Sequence, residues 1–149
     1  MKLRLLVVGR GSKDLSAFEA RFIERLQPFA ACQLIELPEG RGKQVAQRKQ
    51  QEAKHILQQA RQGFVIFDER GALHGSKQWA QHLGRLQGDA QQDFVIGGAD
   101  GLSDSVRQAA AGCWSLSKLT LPHQLVRAVV LEQLYRAFTI MQGHPYHRA

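Results

Sequence analysis

The sequence predicts an α/β domain with a largely parallel sheet flanked by helices, formed by residues 1–149 as one unit. Three observations carry that expectation. Apolar runs of strand length recur along the chain, and the segments between them space their apolar residues at helical intervals. A chain of 149 residues, 44% hydrophobic and 22% charged, has the size and composition of one globular domain with one core.

The elements follow in order. Residues 3–8 form an apolar run interrupted by Arg4, too short and without the small-residue cleavage site of a signal peptide, so they read as a strand. Residues 12–26 place Leu15, Phe18, Phe22, Ile23 and Leu26 on one helical face, and Pro28 stops that helix. A second strand at 33–37 closes at Pro38. The loop Gly40, Arg41, Gly42, Lys43 then leads into a Gln- and Lys-rich stretch to Gln62. Its sparse stripe of Val45, Ala53, Ile56 and Leu57 marks an exposed helix. Residues 64–67 are a third strand ending at Asp68, 77–86 are helical, and 93–96 are a fourth strand running into Gly97 and Gly98. Sheets of this class bind ligands beyond the C-terminal strand ends, so Gly9, Asp68 and Gly97 mark the expected edge.

The last third departs from the alternation. After a helical stretch at 104–111, residues 116–121 alternate apolar and small polar side chains up to Pro122, the pattern of a fifth strand with Ser117 and Thr120 exposed. The helix that follows, to about Met141, has Leu125, Val126, Val129, Val130, Leu134, Ala137, Phe138, Ile140 and Met141 over more than half of its circumference. Such a helix must be buried from several directions, and in so short a chain a second copy is the nearest source of cover. A homodimer through this helix is therefore expected.

Composition narrows the function. No apolar run approaches the ~20 residues of a membrane span. Cys32 and Cys113 are isolated, which argues against a disulfide framework and a cysteine zinc site and fits a reducing, cytoplasmic setting. The net charge of +7 is patchy. Residues 41–61 carry six cations against Glu52, and residues 105–149 carry five against Glu132. Two basic segments on one small domain point to a polyanion, and nucleic acid is the leading class.

Four stretches carry candidate chemistry. The glycines at 97, 98 and 101 follow a buried strand and suit either a nucleotide-type ligand or a plain structural turn; they do not fit the dinucleotide pattern GxGxxG. Arg127 projects into the apolar arc of the last helix and needs an anionic partner, either in an ion pair across a dimer or in a substrate. Glu132 and Arg136 read as a helix-surface i,i+4 pair. The tail concentrates His144, Tyr146, His147 and Arg148, residue types that stack on bases and grip phosphates, with a histidine spacing poor for zinc, so no metal is expected.

The run from Gly97 to Ser103, the block from Trp114 to Arg127, and the endings Glu132 to Ala137 and His144 to Arg148 together resemble the RlmH family, the ribosomal RNA large-subunit pseudouridine N3-methyltransferases, minimal SPOUT enzymes. The N-terminal half matches through Lys2, Leu3 and the run Glu36 to Gly40. The resemblance implies a C-terminal trefoil knot and an S-adenosyl-L-methionine site at Phe67, Gly97, Leu116, Ser117, Lys118, Leu119, Thr120 and Leu121. It also implies a homodimer acting on ribosomal RNA in the assembled ribosome, at N3 of a pseudouridine. Phe67 stands where leucine is frequent, and Ala99-Asp100 replaces variants such as Pro-Glu. On this footing Glu132, His144 and His147 are candidate bases, and Arg127 or Arg148 would stabilise the deprotonated ring. Tyr146 would stack on the target base, and Lys43, Arg48, Lys49 and Lys54 would meet phosphates. A non-catalytic ribosome-binding or assembly factor and a NAD enzyme using residues 97–101 are the rival expectations.

Overall fold

The structure is a computed structural model that describes residues 1–86 and 88–148. Strands β1 (Lys2–Val8), β2 (Ala31–Leu37), β3 (Val65–Leu73), β4 (Gln91–Ile96) and β5 (Gly112–Ser115) are joined by helices α1 (Ser16–Leu26), α2 (Val45–Gln59), α3 (Ser76–Gly84), α4 (Asp104–Ala109) and α5 (His123–Met141). The five strands form one sheet in the order β2-β1-β4-β3-β5, and every pairing is parallel.

A parallel sheet is covered on both faces, and the side-chain alternation shows how. Leu3, Leu5 and Val7 of β1, Val65 and Phe67 of β3, and Phe94 and Ile96 of β4 meet α1, α3 and α5. Their neighbours Leu6, Val8, Ile66 and Val95 face the other way, onto Ala53 and Ile56 of α2 and Val106 of α4. The near-continuous apolar runs in the sequence are this two-sided burial.

Three expectations need correction. The fifth strand is Gly112–Ser115, not 116–121. Strand β3 does not stop at Asp68 but continues to Leu73, with a register shift between Phe67 and Ala72 along β5. Gly71 lies within that irregularity, where a Cβ would stand 2.7 Å from the backbone of Cys113, so only glycine permits the approach. Finally, α5 finds its several neighbours within its own chain. It packs between α1 and α3 over the sheet and buries Arg127, Ala128, Val130, Leu131, Leu134, Ala137, Phe138 and Thr139 there. A second copy is not needed to cover these residues.

Candidate active site

Beyond the C-terminal ends of β4 and β5, beside the middle of β3, lies a cleft of about 220 Å³. Its walls are Phe67, Asp68 and Glu69 from β3, Ile96 with the glycine turn that follows β4, Ser115 to Leu121 without Lys118, and His123 and Val126 of α5. Seven of the eight positions expected to hold the methyl donor therefore line one cleft, and Lys118 alone falls outside its lining.

Loop 116–121 is shaped by its small polar side chains. The Ser115 hydroxyl donates to the Ser117 carbonyl at 2.8 Å, and the Leu119 amide donates to the Ser117 hydroxyl at 2.9 Å. Thr120 donates to Glu69 at 2.7 Å and ties the loop to β3. Local bonds of this kind offer the backbone a turn in place of a ladder, which is why an alternating pattern did not become a strand. On the opposite wall, Arg48 of α2 holds Asp100 of the glycine turn at 2.8 Å and keeps that carboxyl below the usual range. Arg48, expected to meet phosphate, thus already has a partner.

Asp68 is the acidic group at the floor. Burial alone would push its carboxyl up, but hydrogen bonds from Arg107 and Arg70 outweigh burial and leave it lowered, with Arg107 at 2.6 Å. Behind the glycine turn stands Glu52, 5% exposed, whose Oε2 accepts from the Gly40 amide at 2.8 Å. Its Oε1 has no hydrogen-bond partner and lies 3.7 Å from where a Cβ on Gly98 would be; burial raises its pKa. Neither Glu52 nor Glu69 stood out in the sequence, since a lone glutamate on an exposed-looking helix or strand end carries no pattern.

The residues expected to do chemistry lie elsewhere. Arg127 is 4% exposed, with Nε donating to Glu19 at 2.6 Å and Nη1 to Glu36 at 2.9 Å. Its ion pairs are within the chain, not across a dimer, and it does not line the cleft. Glu132, Tyr146 and His147 gather beside the middle of α5. Glu132 accepts from Arg136 at 2.7 Å and from the Tyr146 hydroxyl at 3.0 Å, making it a half-buried hub rather than part of a solvated surface pair. Arg136 donates to His147 Nδ1 at 3.1 Å, which places the histidine proton on Nε2, a buried atom without a partner. Burial, then the bond to Glu132, raises the Tyr146 pKa. His144 accepts from the Tyr146 amide at 3.1 Å, and Arg148 is exposed. Glu132 stands nine positions after His123 on α5, roughly 13 Å along its axis, so the tail cluster and the cleft are separate within one chain.

A family model described as "Predicted SPOUT methyltransferase" matches residues 1–147. The chain belongs to the SPOUT methyltransferase family. Within it, this methyltransferase is 40% identical over 155 residues to the ribosomal RNA large subunit methyltransferase H of Hydrogenovibrio crunogenus. It is 42% identical over 159 residues to the protein of the same name from Methylocella silvestris. In both cases 99% of each chain is covered, so the RlmH resemblance holds over the whole length. Among solved structures, a probable methylase family protein from Haemophilus influenzae Rd KW20 superposes with a TM-score of 0.56 at 14% identity, over 99% of this chain and 70% of that one. The SpoU methyltransferase AviRb from Streptomyces viridochromogenes gives 0.51 at 13% identity, over 95% and 61%. These two likenesses concern the fold alone. Membership makes this SPOUT protein an enzyme and sets aside the NAD-dependent rival.

Proposed function

We propose that this protein transfers a methyl group from S-adenosyl-L-methionine to N3 of a pseudouridine in large-subunit ribosomal RNA of the assembled ribosome. It would act in the cytoplasm as a homodimer whose C-terminal segment is threaded through a preceding loop as a trefoil knot. The observation that carries this reading is the cleft itself, which gathers Phe67, Gly97 and five residues of loop 116–121 from three strands.

These residues fit the cofactor. Phe67, Ile96 and Leu121 offer apolar surface to a purine, Gly97 exposes bare backbone, and the carboxylates of Asp68 and Glu69 suit ribose hydroxyls and a sulfonium charge. When bound, the cofactor supplies an electrophilic methyl group on a good leaving group. The protein's share is orientation and removal of one proton. Because His123 and Thr120 line the cleft while Glu132, Tyr146 and His147 sit along α5, one chain holds the parts of the reaction apart. A partner copy that lends its tail would unite them, and the exposed Leu119 at the cleft mouth and Leu125 on α5 are apolar surface for that contact. In this arrangement Tyr146 stacks on the target base. Glu132, His144 or His147 takes the N3 proton, and Arg148 stabilises the resulting charge. Arg127 is removed from that set by its buried ion pairs.

The names of the relatives support the substrate class, and the net charge of +7 supports a polyanion. Mass spectrometry of ribosomal RNA from cells lacking the protein tests the proposal. A pseudouridine lacking its methyl group is expected, with the methyl restored when those ribosomes are treated with the protein and a labelled donor. Unaltered RNA, with no label transferred, would leave only a non-catalytic ribosome-binding role.

A further inference from the structure

Behind the cleft stands Arg107 of α4. Its backbone is fixed by the helix: its amide donates to the Ser103 carbonyl at 3.1 Å, and Val106 beside it is fully buried. One nitrogen, Nη2, reaches two walls of the cleft at once. It forms an ion pair with Asp68 Oδ2 at 2.6 Å on the β3 side and donates to the Leu102 carbonyl at 3.3 Å beside the glycine turn. Asp68 and Leu102 both line the cleft, and Arg107 does not. The Arg107 Nε is buried without a hydrogen-bond partner, so the guanidinium is turned toward these two lining residues at the expense of one of its own donors.

This pairing decides what Asp68 can offer a ligand. Its Oδ1 accepts from the Arg70 amide at 2.8 Å, and the Arg70 side chain, 71% exposed, adds a longer bond of 3.3 Å. Arg107 and Asp68 are 21% and 10% exposed, so their ion pair is shielded and brings no net charge to the cleft. A carboxylate neutralised in this way is a poor match for a sulfonium and a good one for neutral hydroxyls, which donate to its remaining lone pairs. Glu69 is exposed and, among the described residues, accepts only from Thr120, which leaves its charge for the cationic part of a methyl donor.

We propose that Arg107 is a positioning residue for the methyl donor: it holds the Asp68 carboxylate where it accepts from the ribose hydroxyls, and it ties that acceptor to the glycine turn through Leu102. The assignment rests on the methyltransferase reading and divides the work between the two carboxylates of the cleft. Without Arg107, burial would push the Asp68 carboxyl up with only Arg70 to oppose it. Glu69, next to it in β3, and Cys113 of β5 are the other titratable groups around it, and neither supplies a positive charge. Loss of Arg107 therefore makes ribose binding weaken as pH falls and Asp68 takes up a proton.

The test is calorimetric titration of the full chain with S-adenosylhomocysteine, which carries the ribose without the sulfonium, between about pH 5 and about pH 8. Each variant is read as its ratio to wild type, because His123 lines the same cleft. Arg107→Met should bind with near wild-type affinity at the upper end and at least about threefold more weakly at the lower, with the fold intact by circular dichroism. Arg107→Lys restores the cation and should level that ratio. Arg107→Met with Asp68→Asn, in which the group cannot titrate, should level it too. The 2′,3′-dideoxy analogue of S-adenosylhomocysteine should bind wild type at least about tenfold more weakly than the parent compound, a comparison that holds even if Arg107→Met does not fold. A pH-independent ratio for Arg107→Met, no rescue by Arg107→Lys, the same slope in the double variant, or equal binding of the two ligands would each overturn the assignment. If wild type binds no S-adenosylhomocysteine at any pH, the methyltransferase reading fails and the assignment with it, an outcome distinct from binding with an unchanged profile.

Discussion

Replacing Arg127 by methionine is expected to damage stability rather than chemistry. The guanidinium and the Glu19 carboxyl are 4% and 6% exposed, and Glu36 on its other side is 44% exposed. Removing the arginine strands Glu19 in a dry environment between α1 and α5. Breaking one half of a buried pair costs about 3–5 kcal/mol. At roughly 2–4 °C per kcal/mol for a chain of this size, the midpoint of thermal unfolding should fall by roughly 6–20 °C. The double variant Arg127→Met with Glu19→Met removes both charges and keeps the volume, and should recover most of that loss, because Glu36 retains its contact with water. Calorimetric unfolding of the wild type, both single variants and the double variant measures the cycle. Below the unfolding transition, donor affinity should match the wild type, since Arg127 does not line the cleft. A variant that unfolds like the wild type yet loses methyl transfer would show that Arg127 acts on the reaction, and the structural assignment would be wrong.

Three further outcomes follow. Glu52 has a raised pKa from burial, so its folded form favours the protonated state; its favourable contribution is complete below the ordinary value of 4.5 and is lost as pH rises through the raised one. Glu52→Gln should therefore gain thermal stability relative to wild type above that window and little below it, and a pH-independent difference would refute the cause. Tyr146→Ala should lower turnover roughly 10- to 100-fold through lost base stacking while sparing donor affinity by calorimetry; full activity would take the tail out of the mechanism. Changing Lys43, Lys49 and Lys54 together to glutamine should reduce the slope of log affinity for ribosomes against log salt by roughly 2 to 2.7, and an unchanged slope would free these lysines from phosphate contact. Arg48 is omitted because Asp100 already holds it.

Local and periodic information determined much of this molecule from its sequence. The strand runs at β1, β2 and β4, the helix that ends at Met141 and a cleft beside Asp68 and Gly97 all follow from side-chain period and from where a parallel sheet leaves room. Residues 116–121, which the resemblance marked as a donor site, line the cleft apart from Lys118, although their own alternation argued for a strand. What only the tertiary structure decided were partners distant in sequence. Arg127 needed an anion, but nothing local could say that Glu19, 108 residues away, would supply it. Likewise, β3 runs on to Leu73 because β5 lies beside it, and α1 and α3 flank α5 and bury Val130, Leu134, Ala137 and Phe138 of its apolar arc, while Leu125 and Met141 stay exposed. A side chain's preference for burial or charge is written in its own neighbourhood; the identity of the group that satisfies it depends on how the whole chain closes upon itself.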